Sequence, residues 1–442
     1  MTTKHLIAMA WMMGMFFSPE ALFLHGKMAG LSGYGFVLPL GVGLVLHWMN
    51  GTGGGQGGFA ITAPDAEIRL LKETWGPLAA AFLLLMARPV AAVCLATAVL
   101  VTSGFVFNEV FFYWFPNFGF AALVLGGLLI VNFIGPQVAA ALQLMLTSIA
   151  IIGITGISIV GILAWSQAPH APQQAVFVAN GQSVGLALMA FVGYDMLRYT
   201  RHGLEQAQLT MVMKTAFIIG GIVFILWNSA SLLWVTPSRL AATTIPHILA
   251  AKAMMGPAGR IVIGVVVIAG AGAAVNYLYQ TVSRMMARMA HHGLLPAIFA
   301  RSAARPLLAI TGLTAATGLL MAAGFAGSDL LDVSLRAGLM LWLVFYALRQ
   351  IAQSLRAKPD SVGRYPLHAA RNKALRIIVI AAMITGAAML VVTDDAPVIL
   401  LKTMSTILAL ATFLAMVGLR FAKSFIVKPN MMPAKIKKGE TP

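Results

Sequence analysis

The sequence predicts an all-α polytopic membrane protein of about twelve transmembrane helices, arranged as a 5+5 inverted repeat with two additional helices at the C-terminal end. Three observations lead there. Of 442 residues, 60% are hydrophobic and only 10% charged, with a mean hydropathy of +0.87, whereas soluble domains carry about 25% charged residues. Twelve apolar windows follow one another along the chain, each of about 17–25 residues and so able to cross a hydrocarbon core of ~30 Å. The first and sixth windows, five apart, each contain a break signal.

In chain order the windows cover 5–24, 33–48, 77–105, 118–134, 137–164, 183–197, 215–234, 261–282, 307–323, 330–348, 377–393 and 397–418. They divide into a first five-helix repeat over 1–165, a second over 180–353, two added helices over 374–420 and a basic tail over 421–442. Lys4 before an apolar run resembles a signal peptide, but no small-residue cleavage site follows, so the stretch reads as a retained helix. Residues 51–58, G-T-G-G-G-Q-G-G, read as a flexible linker, because no Lys-Ser/Thr pair follows in phosphate-loop spacing. Residues 62–74 suit a short interfacial helix, and the long connection over 236–259 suits a lid-like helix near 245–255.

The net charge of +17 does not call for nucleic acid. With the N-terminus in the cytoplasm, most of the 30 basic residues fall in inward loops and tails, among them Lys4, Arg69, Lys72, Arg198, Arg201, Arg288, Arg349, Arg356 and Arg420. That bias is the positive-inside rule, and it places a multi-pass protein in the cell inner membrane with both termini cytoplasmic. The one cysteine, Cys94, excludes a disulfide framework and a thiol metal site. No His-Glu-x-x-His spacing, serine–histidine pair or paired aspartates stand within the spans, so neither a metal site nor an enzyme is expected.

The chemistry-bearing stretch is 183–200, where Gly193 precedes Asp195. A carboxylate within hydrocarbon is costly unless it faces water, protein or a partner. Glycine beside it permits the helix to unwind and expose backbone groups to a ligand. The bland alternative is that Asp195 caps a helix end near Arg198 and Arg201. The first window reads W-M-M-G-M-F-F-S-P-E over 11–20, with Gly14 and Pro19 bracketing a break. Arg88 lies about eleven residues into the third window, near mid-membrane. It either pairs with Asp195, binds an anionic group of a substrate, or serves as a structural arginine beside Pro89. Glu20 lines an entry path or snorkels to water. Asp332 and Arg336, at i and i+4, form a structural pair.

Residues 283–296, S-R-M-M-A-R-M-A-H-H-G-L-L-P, resemble the cytoplasmic end of the eighth helix in the amino acid–polyamine–organocation (APC) superfamily. Residues 191–195, F-V-G-Y-D, are similar to that superfamily's sixth-helix pattern, and 132–143, N-F-I-G-P-Q-V-A-A-A-L-Q, to its turn between helices four and five. The resemblance implies a leucine-transporter-like permease carrying amino acids or related small amines or organic metabolites by alternating access. Its substrate would lie between the broken first and sixth helices with the third and eighth alongside, and no prosthetic group would be bound. Taken with the residue reading of Arg88, the candidate substrate-binding set is Gly14, Met15, Phe16, Arg88, Phe191, Gly193, Tyr194, Asp195 and Asn276. Asp195 would hold a cationic group or take up a proton. The chain departs from the family where Met15, Phe16 and Phe17 replace a denser glycine pattern, and Ala150 stands where some proton-coupled members carry lysine. The coupling ion, H+ or Na+, is therefore open. The expected partners are a small-molecule substrate and the lipid bilayer, with a monomer or homodimer as the assembly. The competing reading is a transport-inactive sensor or membrane-complex partner that keeps the fold.

Overall fold

The computed structural model describes residues 2–52, 64–167, 181–200, 204–301, 306–323, 329–356, 366–394 and 396–424. All regular structure among these residues is helical. The first span is two helices, α1 (Thr3–Phe16) and α2 (Pro19–Ser32), and α3 (Val37–Thr52) returns across the membrane. The third span joins α4 (Pro64–Leu85) through a π-helical turn (Met86–Val90) to α5 (Ala91–Val110). Then come α6 (Asn117–Ile134) and α7 (Pro136–Leu163). The sixth span is α8 (Gly181–Ala190) followed, after a gap, by a 3-10 segment (Tyr194–Tyr199). After α9 (Gln206–Trp234) a short α10 (Pro237–Ala242) leads into the long α11 (Pro246–His291). The chain ends with α12 (Leu307–Ala322), α13 (Asp329–Arg356), α14 (Pro366–Val392) and α15 (Pro397–Ser424).

Nine stretches of the described residues are long and apolar enough to cross a membrane. The two interrupted spans and the shorter α12 complete the twelve traverses. Leucines, isoleucines and phenylalanines such as Ile152, Leu319 and Phe413 form an exposed apolar belt, 71%, 71% and 58% accessible, as hydrocarbon contact requires and water would not tolerate. Inside it, α5 and the latter part of α11 are buried almost all round.

The first break falls between Gly14 and Pro19, as the sequence suggests, at its Pro19 end. Gly14 is helical, and the chain leaves the helix at Phe17 and Ser18. Ser18 is extended (φ −64°, ψ 154°), and its hydroxyl accepts the Ala21 amide at 3.2 Å while Pro19 opens α2. Ser-Pro-Glu is thus a helix start, and the first span runs on to Ser32 rather than ending at 24.

Two Gly-Pro corners stand at matching places, at the start of the third and eighth traverses: Gly76 (φ 83°) before Pro77 and Gly256 (φ 59°) before Pro257. The second sets off residues 246–255, the lid-like helix expected near 245–255. The first sets off residues 64–75, the short helix expected over 62–74, on the face where the N-terminus lies. Glu67, Ile68 and Leu71 are fully buried there, while Arg69 and Glu73 are exposed. Arg288 at the end of α11 pins this helix through Asp65, with guanidinium–carboxylate distances of 3.0 and 3.1 Å. The linker over 53–63 and most of the basic tail lie outside the described residues.

Candidate functional site

The sixth span breaks where expected. After α8, residues 191–193 leave the helix, with Gly193 at φ 96°. That left-handed conformation costs a residue bearing a Cβ about 1–2 kcal/mol. A Cβ there would also sit 3.2 Å from the Met15 methyl, so the two breaks face each other. The freed backbone groups are held by tyrosines. The Tyr346 hydroxyl accepts the Gly193 amide at 3.1 Å, and the Tyr277 hydroxyl donates to the Gly193 carbonyl at 2.9 Å.

Asp195 sits just beyond this break, 2% exposed. Arg88 donates to both of its oxygens, Nη2–Oδ2 at 2.5 Å and Nη1–Oδ1 at 3.3 Å. The Tyr346 hydroxyl donates to Oδ1 at 2.7 Å, and Arg198 and Arg349 each reach Oδ2 at 3.3 Å. Glu67 is the second acid: Arg198 and Arg349 stand 3.4 Å from its Oε1, Arg88 3.7 Å, and the Tyr199 hydroxyl donates to Oε2 at 2.8 Å. Three guanidinium groups therefore face two carboxylates in a buried cluster with one surplus positive charge. Aromatic faces offset part of that surplus, with the Arg88 Cζ 4.5 Å from the Phe345 ring centroid and 4.6 Å from that of Trp342.

Of the three readings for Arg88, the structure selects pairing with Asp195. It lies in the π turn beside Pro89, whose missing N–H favours a local widening of the helix. The cationic group that Asp195 holds is the protein's own, so Asp195 is not free to bind cargo in this conformation. Helix capping alone does not describe it either, since its partners come from three separate stretches of chain: the π turn, its own 3-10 segment and α13. Arg349 carries the cluster on to α3, donating from Nη2 to the Asn50 side-chain oxygen at 2.8 Å, while Asn50 donates to the Tyr194 hydroxyl at 2.7 Å.

Phe16 and Phe191 meet edge to face across the breaks at 5.1 Å. Gly14 and Asn276 belong to a different polar group, behind the first span. Asn276 donates to the Gln143 side-chain oxygen at 2.9 Å, and Gln143 donates to the Ala10 carbonyl at 3.2 Å. A Cβ on Gly14 would stand 2.3 Å from the Gln143 amide nitrogen. Gly14 therefore admits Gln143 rather than opening a nest of amides. The sequence-derived set splits in two: Met15, Phe16, Arg88, Phe191, Gly193, Tyr194 and Asp195 gather at the breaks, and Gly14 and Asn276 stand apart with Gln143.

A small cavity lies between the two breaks, lined by Met15, Ser18, Glu20, Leu95, Met189, Ala190, Val192 and Leu339, among others. Glu20 is the only acid lining it, and its Oε1 is buried with no hydrogen-bond partner. Its room of about 10 Å³ is that of roughly one water molecule. On the opposite face α10 and the start of α11 lie on α2: the Lys27 ammonium donates to the Ala241 carbonyl at 2.5 Å, and a Cβ on Gly26 would come within 2.5 Å of Pro246. Arg336 there joins Asp332 at 3.1 Å, as i,i+4 spacing predicts, and also Asp394 at 2.8 Å. The lid contacts with α2 lie towards one face of the bundle and the arginine cluster towards the other.

No family model matches the sequence, and no curated protein matches it. Among solved structures, it is similar to the crystal structure of a manganese transporter from Eremococcus coleocola in complex with an aromatic bis-isothiourea-substituted compound, with a TM-score of 0.55 and 12% identity. The match covers 95% of this chain and 94% of that one. The chain has the fold of a membrane transporter. At that identity the likeness is one of fold, and it does not single out the APC superfamily.

Several members of the cluster escape sequence reasoning. Glu67 sits in a stretch whose charges suggest an interfacial helix. Arg198 and Arg349 look like ordinary positive-inside residues, yet they are 5% and 1% exposed. A signal for one pair is local, since Asp195 and Arg198 are i,i+3 neighbours. Nothing in the sequence near residue 349 points to residue 67.

Proposed function

We propose that this protein is a secondary transporter of the cell inner membrane, with cytoplasmic termini, which moves a small solute by alternating access through the cavity between its two breaks. The solute carries positive charge where it touches the protein. The observation that carries this is the buried Oε1 of Glu20 at that cavity, which has no hydrogen-bond partner. A buried acceptor without a partner is costly, and a cationic group satisfies it. The arginine cluster then acts as the latch on the N-terminal face. It ties the sixth-span segment to α4, the π turn and α13, and these must separate for the cavity to open there. With room for about one water, the closed cavity is too small for an amine, so loading requires helix movement.

An amine, free or on an amino acid, fits a carboxylate between flexible backbone segments. A divalent metal ion is the second reading. The Glu20 carboxylate suits a hard ion such as Mn²⁺, the Met15 and Met189 thioethers at the same cavity suit a softer one, and the fold neighbour is a manganese transporter. Counterflow in proteoliposomes with lysine, putrescine and Mn²⁺ separates the two. At least one is expected to exchange through the wild-type protein and none through Glu20→Gln. A solute that stabilises the protein against heat yet never crosses would favour the sensor reading instead.

A further inference from the structure

A second cavity, of about 530 Å³, opens behind the latch rather than in front of it. This size lies within the range of roughly 300–1,000 Å³ typical of ligand sites. Its inner wall is Pro89 and Val90 of the π turn with Val93 and Cys94 of α5, and its outer walls come from α12 and α15. Its rim includes Leu308, Leu410 and Leu414, which are 48%, 46% and 37% accessible and so continue the apolar belt that contacts hydrocarbon. Of the hydroxyls at its edge, Thr403 and Thr406 already donate to the carbonyls of Ile399 and Lys402 within α15. It therefore offers a polar ligand little, and water would gain few partners there.

We propose that this groove is a seat for one acyl chain of a bilayer phospholipid, and that the chain supports the π turn carrying Arg88 from behind. The occupant follows from position and chemistry: the groove is apolar and continuous with the lipid-facing surface, where acyl chains are the solvent. The inference stands on this groove alone and does not depend on what the protein transports. Gly312, in its α12 wall, provides the test, because a Cβ there would meet nothing within 4 Å. Gly312→Phe should place a ring in the space of the groove.

The experiment uses the full chain in nanodiscs containing phosphatidylcholine with a diazirine on one acyl chain. Cross-links are mapped after illumination. Wild-type protein should cross-link preferentially at Val93, Leu313 and Leu410, compared with Ile152 on the open lipid face of α7. Gly312→Phe should abolish the groove cross-links and leave those at Ile152 unchanged. Should that variant fail to fold, Ala316→Leu narrows the same groove and should reduce them. Equal labelling at the groove and at Ile152, or groove labelling that survives both substitutions, would overturn the proposal. So would an unlabelled groove in a protein that runs as a dimer, since a second copy would then cover it.

Discussion

The Arg88–Asp195 pair shows what a single buried charge demands. Removing one partner of such a pair leaves the other uncompensated, at a cost of about 3–5 kcal/mol. Arg88→Gln and Asp195→Asn should each lower the thermal unfolding midpoint markedly. The double variant should be less destabilised than the two losses added together, with a coupling of about 0.5–3 kcal/mol. Strict additivity would mean that the contact contributes nothing. Arg88→Lys should restore little, because an ammonium cannot match the two-pronged contact with Asp195 or stack on Phe345 and Trp342. At this level the sequence was half legible. A charge within a hydrophobic run advertises itself, so Arg88 and Asp195 stood out. Glu67, Arg198 and Arg349 did not, because charges near span ends normally reach water and only tertiary packing shows that these three do not.

Among the elements, the two breaks rest on different devices and should fail differently. Ser18 caps α2 and Pro19 starts it, so Ser18→Ala should cost about 0.5–2 kcal/mol and loosen the first break while leaving the second intact. Gly193→Ala adds left-handed strain and presses on Met15. It should impair transport more than Gly312→Ala, a glycine replacement in open space, with uptake rate and unfolding midpoint as the readouts. Equal effects of the two alanines would mean that the turn at Gly193 is incidental. The sequence placed the sixth-span break well because a glycine next to an acid has few other uses inside a span. It bracketed the first between Gly14 and Pro19, and of the two Gly14 serves another purpose, being small for Gln143 to fit against. The Ser-Pro-Glu start four residues further on was the stronger signal, since it supplies both a cap and a fixed φ.

Across the whole molecule, the proposed mechanism makes lid and latch the gates on opposite faces of one small cavity, and transport would require that they open in turn. The span count and the matched breaks were legible from hydropathy and spacing, because a membrane forces long apolar runs and leaves few reasons to interrupt them. Closure was not legible, since it depends on contacts such as Lys27 with Ala241 and Arg349 with Glu67, separated by hundreds of residues in the chain. The decisive measurement is the reactivity of a cysteine at Met15, in a Cys94→Ser background, toward a membrane-impermeant thiol reagent applied to either face in turn. Alternating access predicts that Met15→Cys reacts from each face in separate states, and that Arg88→Gln raises its reactivity from the N-terminal face alone. A cysteine that never reacts from either face, or that reacts from both without regard to Arg88, would contradict it.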